Sequence, residues 1–285
     1  MTTEASQTDN SKIKNQKSKI VVLGAAGRMG KTLIRCILEE KVPSLELHGA
    51  VDLWDALELG QDAGLMAGSK EAGIKLINNL EEVGPTADVI VDFSSHFGTA
   101  GNAPRIAEWG TAWVIGTTGL NEEELAAINA TAEKSAVVLS GNMSLGINLL
   151  CNLVEAGARA LKGKGYDIEV LERHHNQKKD SPSGTALMLG RAAAAGYGWD
   201  LKDVQVDGRT GLPGARPEQE IGFHAIRGGD IVGDHTVMLA GMGELLELSH
   251  RATSRDVFAI GALQAAAWVA GKPAKLYSMK DVLGL

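Results

Sequence analysis

From Lys19 onward, short apolar runs alternate with amphipathic stretches. Ile20 to Leu23 is a β-rich run ending at a glycine, Lys31 to Glu40 places Leu33, Ile34, Ile37 and Leu38 on one helical stripe, and Leu45 to Val51 predicts the next strand. Asp88 to Phe93 and Trp113 to Ile115 predict further strands. Asn121 is a suitable cap for a helix from Glu122 to Lys134 with acids in its first turn, and Ala136 to Leu139 is a strand again. Strands alternating with helices at this spacing predict a parallel, doubly wound sheet. After Asn142 the pattern changes. Leu145 to Leu161 predicts a long helix, Asp167 to Leu171 a strand, and a polar loop leads to a helix starting near Ser183. Residues 220–250 hold three β-like runs separated by Gly228-Gly229-Asp230 and Gly241-Met242-Gly243, which predicts an antiparallel meander. Ser254 caps a last helix, Arg255 to Ala270.

Composition narrows the class. At 285 residues and roughly 150 per domain, the chain has room for about two domains. Lys plus Arg is 28 against 35 Asp plus Glu, a net charge of −7, which argues against a non-specific nucleic-acid grip. No apolar run approaches the ~18 residues of a membrane span. The two cysteines, Cys36 and Cys151, fall inside apolar helical patterns and cannot make a disulfide framework or a zinc cluster, so both are expected to be core thiols of a cytoplasmic protein. Residues 1–18 are polar and aperiodic, with neither the apolar centre of a secretory signal nor the Arg-rich composition of a transit peptide, and are expected to form a disordered tail.

Gly24-Ala25-Ala26-Gly27-Arg28-Met29-Gly30 follows the first strand and opens a helix, where glycines let the turn tighten and a pyrophosphate approach the helix N-terminus. The spacing is G-x-x-G-x-x-G rather than the commoner G-x-G-x-x-G. Asp52 ends the second strand, 22 residues after Gly30, where a ribose-binding carboxylate is expected. Leu53 and Trp54 follow it, so no adjacent Arg answers a 2′-phosphate, and the motif taken alone favours NAD over NADP. Gly116-Thr117-Thr118 and Ser140-Gly141-Asn142-Met143 also follow strands, where small residues leave room for a nicotinamide and Thr and Asn can hydrogen-bond its amide. The expected fold class is therefore α/β: an N-terminal Rossmann-like doubly wound parallel sheet plus a C-terminal α+β domain with a mixed or antiparallel sheet. The expected domains are a dinucleotide-binding one at 19–144, to which 256–285 return, and a substrate-binding one at 145–255.

The densest chemistry runs from Glu172 to Ala186. His174, His175, Lys178 and a Pro-Ser-Gly-Thr turn into a helix fall within fifteen residues. Backbone N–H groups of Gly184 and Thr185, with the hydroxyls of Ser183 and Thr185, suit a carboxylate, and Lys178 adds a second positive group. A His near neutrality can donate a proton while hydride arrives at a C=C or C=N bond. A metal at the His pair is disfavoured, since adjacent strand residues face opposite ways and no Cys or third His is near. Ser183 lacks a nucleophile elbow. His48, His96, His224, His235 and His250 stand singly and are expected to be structural or surface residues; Arg255 is expected to be a helix-surface residue.

Taken together, these segments resemble the 4-hydroxy-tetrahydrodipicolinate reductase (dihydrodipicolinate reductase) family of bacterial and plant lysine biosynthesis, from about Lys19 to the C-terminus. Glu172, His174, His175, Lys178, Asp180 and Pro182 through Ala186 fall in the order of the family signature. Val-Leu-Gly-Ala-Ala-Gly-Arg-Met-Gly, Ile-Gly-Thr-Thr-Gly and Gly-Asp-Ile-Val-Gly-Asp-His-Thr are similar to family segments as well. The resemblance implies NADH- or NADPH-dependent reduction of a small dicarboxylate in the diaminopimelate route. It implies His174 as proton donor, Lys178 as a second proton-donating and carboxylate-binding group, and His175, Gly184 and Thr185 in substrate binding. It also implies cofactor contacts from Gly24 to Met29, Asp52, Gly116 to Thr118 and Ser140 to Met143, with Ser183 and Thr118 beside the substrate. A homotetramer joined through the second domain's sheet, with domains that close on ligand, is implied too. Some members carry an Arg just after the ribose acid, where this chain has Leu53. Two other functions fit parts of the pattern: an amino-acid dehydrogenase of the same layout, which would not need the double anion site, and a catalytically silent dinucleotide sensor, which would tolerate loss of His174 and Lys178.

Overall fold

The computed structural model describes residues 17–285. The expected tail lies outside it except for Lys17 and Ser18, and Ser18 already opens the first strand. That strand, β1 (Ser18–Leu23), turns at the glycines into α1 (Arg28–Leu38), which starts three residues before the expected Lys31 and buries Leu33, Ile34, Cys36 and Ile37. Then come β2 (Leu45–Val51), the short α2 (Ala63–Met66) and β3 (Leu76–Ile77), β4 (Val89–Asp92), α3 (His96–Trp109), β5 (Ala112–Ile115), α4 (Glu122–Ala132) and β6 (Ala136–Leu139). Helix α3 has no counterpart in the sequence reading, because Gly98, Gly101 and Pro104 interrupt its apolar pattern. Its ends set it instead: the Ser95 hydroxyl accepts the Gly98 N–H, and Gly110 closes it at φ 67°.

These strands form a wholly parallel seven-stranded sheet in the order β12-β6-β5-β4-β1-β2-β3, where β12 is Lys275–Tyr277 from the far end of the chain. Alternation along β1 sends Ile20 and Val22 to one face, under α1, and Val21 and Leu23 to the other, under α3 and α4. Strand order reverses between β1 and β4, so a crevice opens where their carboxyl ends diverge.

The second layer begins with α5 (Leu145–Leu161), followed by β7 (Asp167–His174), α6 (Gly184–Tyr197), α7 (Leu201–Val204) and β8 (Gln205–Asp207). It continues with β9 (Ile221–Arg227), β10 (Gly233–Gly241) and β11 (Glu244–Ala252). The order β11-β10-β7-β9-β8 corrects the expected meander: only β10 and β11 form a hairpin, and β9 runs parallel to β7, which separates it from β10. The loop at 228–232 is long enough to step across the end of β7, and it bonds there, the Gly228 N–H to the His174 carbonyl and the Asn176 N–H to the Gly229 carbonyl. Strand β7 extends three residues past the expected Leu171. Its alternation carries Ile168 and Val170 into the core against α5 and α6, and Glu172 and His174 onto the same buried face.

The chain then returns to the first sheet. Helix α8 (Asp256–Val269) packs on α1, β4 and β5, and α9 (Met279–Leu283) follows β12. The Ser254 hydroxyl accepts the Asp256 N–H, as the sequence suggests, although Arg255 occupies the cap position itself. None of the described helices is long and apolar enough to cross a membrane.

Two helical glycines separate packing from propensity. A methyl added at Gly261 in α8 would lie 1.8 Å from the Met143 carbonyl oxygen, whereas one at Gly157 in α5 meets only Leu239, at 3.4 Å. Gly261→Ala is expected to lower Tm, because displacing backbone costs about 1–3 kcal/mol and outweighs the helix-propensity gain of about 1 kcal/mol. Gly157→Ala is expected to keep that gain and raise Tm. Thermal denaturation of the two variants checks the contrast.

Candidate active site

The turn after β1 is built around one carboxylate. Gly24, at φ 80°, lies so close to the end of β4 that a Cβ would sit 2.6 Å from the Phe93 carbonyl oxygen. The N–H groups of Gly24 and Ala25 donate to the Val51 carbonyl. The Ala26 N–H donates to Asp52 Oδ2 at 2.7 Å, and the Leu53 N–H to Oδ1 at 2.8 Å. Two protein donors still leave the carboxylate further lone pairs for ribose hydroxyls. Gly27 caps α1 without a side chain, so the N–H groups of Arg28, Met29 and Gly30 lack intrahelical acceptors and suit a phosphate. Gly30 serves packing, since a Cβ there would meet the Gly24 carbonyl oxygen at 2.1 Å; Ala25 is fully buried.

A cavity of about 570 Å³ runs over this turn, lined by Gly24, Ala26, Gly27, Asp52, Leu53 and Trp54 among others. A second, of about 600 Å³, takes in Arg28, Met29, Thr117, Asn142, His174 and Lys178. Phe93 and Ser94 line both, so the two form one cleft. The donor set and the elongated space fit a nicotinamide dinucleotide. Gly116, Thr118, Gly141 and Met143 also line the second cavity.

Several side chains expected to face a ligand are committed to the protein. The Thr117 hydroxyl donates to Asp92 Oδ1 at 3.2 Å, beside the Ser94 hydroxyl at 2.6 Å. Asp92 is fully buried, and burial pushes its carboxyl above the ordinary range. The Ser140 hydroxyl donates to the Asn142 carbonyl. Asn142 donates from Nδ2 to the Thr185 hydroxyl at 2.8 Å and accepts the Ser144 N–H at Oδ1, which ties the loop after β6 to the start of α6. The Ser183 hydroxyl, 3.1 Å from His235 Nε2, accepts the Ala186 N–H as the cap of α6. Gly184 and Thr185, at the first two positions of α6, keep unpaired N–H groups as expected, and Thr185 lines the cavity.

The far wall is basic. His174 is buried, with Nδ1 2.5 Å from Glu172 Oε2. Burial alone would raise the Glu172 carboxyl, but hydrogen bonds from His174, Arg227 and the Ser183 N–H hold it at about 2. His235, edge-on to His174 at 5.0 Å between ring centroids, is pushed down to about 4 by burial and by His174, so it stays neutral. Lys178 pairs with Asp180 at 2.8 Å, and His175 lines the cavity. Sequence reasoning missed two arginines here, Arg255 and Arg227, whereas Arg28 was among the expected cofactor contacts. Arg255, read as a helix-surface residue, lines this cavity, as does Arg28 from the glycine turn; neither has an ion pair among the described residues. Arg227 reaches Glu172 from β9. The position of Arg255 at the head of a helix that returns to the first sheet was the available signal; Arg227 had none without the strand pairing. The cleft assembles a glycine turn, the imidazoles of His174 and His175, and the cationic side chains of Arg28, Lys178 and Arg255, a set of groups that suits hydride reduction of an anionic substrate.

Comparison with known proteins agrees. Residues 18–143 match the family described as "Dihydrodipicolinate reductase, N-terminus", and residues 146–283 match "Dihydrodipicolinate reductase, C-terminus". The chain is 46% identical over 268 residues to the 4-hydroxy-tetrahydrodipicolinate reductase of Anaeromyxobacter dehalogenans (strain 2CP-1 / ATCC BAA-258), covering 94% of this chain and 98% of that one. It is 48% identical over 267 residues to the protein of the same name from Rhizobium meliloti (strain 1021), covering 94% and 97%. The solved structure of a dipicolinate-bound dihydrodipicolinate reductase from Paenisporosarcina sp. TG-14 has the same fold, with a TM-score of 0.69 at 22% identity over 92% of this chain and 98% of that one. Domain content, coverage and fold lead to one conclusion: the chain belongs to the dihydrodipicolinate reductase family.

Proposed function

We propose that this chain reduces the dehydrated form of (2S,4S)-4-hydroxy-2,3,4,5-tetrahydrodipicolinate to 2,3,4,5-tetrahydrodipicolinate, in the diaminopimelate route of lysine biosynthesis. The observation that carries this reading is the continuity of the cleft: Phe93 and Ser94 join the glycine turn to the basic cavity around His174. Bound NADH or NADPH supplies the hydride. Arg28, Met29 and Gly30 hold its pyrophosphate through their N–H groups, Asp52 its ribose, and the loops at 116–118 and 140–143 its nicotinamide end. His174 donates the proton. Lys178 binds a substrate carboxylate and is the second group able to supply that one proton. His175, Thr118 and the N–H groups of Gly184 and Thr185 hold the dicarboxylate, with Ser183 fixing that helix start. An amino-acid dehydrogenase would leave the double anion site without purpose, and a silent sensor would leave the acid without purpose.

The division of labour follows the sheets. Residues 19–144 with 256–285 carry the cofactor; 145–255 carry the substrate and the assembly surface. Leu245 and Leu246 are half exposed on β11, and Met242 is fully exposed beside it, which supports a homotetramer formed through this sheet. Burial raises both the Cys36 and Cys151 thiols to about 11, which leaves them unreactive core side chains.

NADH is the favoured cofactor. Around the Asp52 carboxylate the cavity carries Leu53, Asp55 and Glu58, and its one Arg, Arg105, lies 3.4 Å from Glu81. A 2′-phosphate would meet carboxylates there.

With substrate generated from pyruvate and aspartate semialdehyde by the preceding synthase, the chain is expected to oxidise NADH, read at 340 nm; no turnover with either cofactor would remove the proposal. His174→Gln is expected to lower kcat at least about a hundredfold, in keeping with general-acid contributions of ~10² to 10⁴, while NADH affinity, read by fluorescence titration, stays within about twofold. NADH is expected to give a higher kcat/KM than NADPH. Leu53→Arg should narrow that gap about tenfold, the effect of one charge-assisted hydrogen bond to the phosphate.

A further inference from the structure

Glu172 is 1% exposed, yet it touches three separate parts of the cavity wall. Oε2 lies 2.5 Å from His174 Nδ1 and 2.7 Å from Arg227 Nη1. Oε1 accepts the Ser183 N–H at 3.0 Å and Arg227 Nη2 at 2.8 Å. Arg227 Nη2 also donates to the Asp180 carbonyl at 2.7 Å, so the same guanidinium grips the turn that carries the partner of Lys178. We propose that Glu172, locked in place by Arg227, is the positioning residue of the reaction: it fixes His174 with its proton on Nδ1 and Nε2 toward the cavity, and it aligns that acid with the substrate-anchoring start of α6. This rests on the reading of His174 as the proton donor.

Two further observations support it. His174 lines the cavity with Nδ1 already engaged, so Nε2 is the nitrogen left for substrate. Gly233 keeps that nitrogen clear, because a Cβ there would lie 3.3 Å from it. A buried ion pair is by itself weak evidence for stabilisation, since replacing one by apolar side chains is often neutral or stabilising. Its retention beside an acid has a chemical reason: the carboxylate selects the tautomer and stabilises the imidazolium that must donate. The charged and titratable groups around His174 are Glu172 on its own strand, Arg227 from β9, neutral His235 from β10, His175 and Lys178 from the following loop, and Arg28 and Arg255 across the cavity.

The test uses the full chain with NADH. In the unmodified protein, ¹⁵N-histidine NMR is expected to show neutral His174 as the Nδ1–H tautomer; the Nε2–H tautomer would overturn the proposal. Glu172→Gln is expected to lower kcat at least tenfold with NADH affinity unchanged. The donor must be protonated, so activity falls as pH rises; without the anion the neutral ring is favoured, and that fall is expected at lower pH. Arg227→Gln removes a cation instead, and its fall is expected at higher pH. Opposite shifts are not what general loosening of the fold would give. A folded Glu172→Gln with the parental kcat and pH profile sinks the proposal. If that variant does not fold, Arg227→Gln and the tautomer of the unmodified protein decide. Absence of turnover in the unmodified protein would instead count against the proposed reaction, leaving the tautomer measurement to judge the role of Glu172.

Discussion

A carboxylate cannot stay ionised out of water unless several donors replace its hydration, and at Glu172 those donors come from three segments of the chain. The imidazole two residues along β7, the guanidinium at the end of β9 and the backbone at the start of α6 all converge on it, while the same guanidinium holds the turn at Asp180. Meeting one buried charge therefore fixes the relative placement of a strand end, a helix start and a loop. Those are the parts that carry His174, Thr185 and Lys178.

The first sheet solves a similar problem with backbone. Asp52 accepts two N–H groups from the loops it joins, which holds the glycine turn open over an uncapped helix start. Asp92 draws Ser94 and Thr117 together at the ends of β4 and β5. The two halves meet at several places, among them Asn142 to Thr185 and the Lys280–Glu155 ion pair. Asn142 and Thr185 both line the cavity that holds His174.

The parallel sheet was legible because each of its main strands is a short apolar run next to a glycine or a cap, and the acid cavity because His174, Lys178 and the Pro-Ser-Gly-Thr turn are contiguous. Helix α3 was not, since its capping residues outweigh a sequence broken by two glycines and a proline. Arg227 was hidden for a topological reason. It lies 55 residues from Glu172, and only the parallel pairing of β9 with β7, which sets His174 opposite Arg227, brings the two together. A meander would have put β9 beside β10, away from β7. Thr117, Asn142 and Ser183 had the right chemistry for ligands, but local sequence does not reveal that Asp92, Thr185 and the α6 cap claim those groups first. Arg255 was undervalued because periodicity describes the helix it heads, and not the cavity that the helix reaches.

If the glycine turn and the histidine cavity are one site, hydride passes directly across it to the substrate. Isotope transfer reads this step: reduction in ordinary water with NADH deuterated at both C4 positions, followed by mass spectrometry of the product. One deuterium is expected in tetrahydrodipicolinate for each turnover. Product formed without the label would mean that the two halves of the cleft do not act on one another, and would contradict direct transfer.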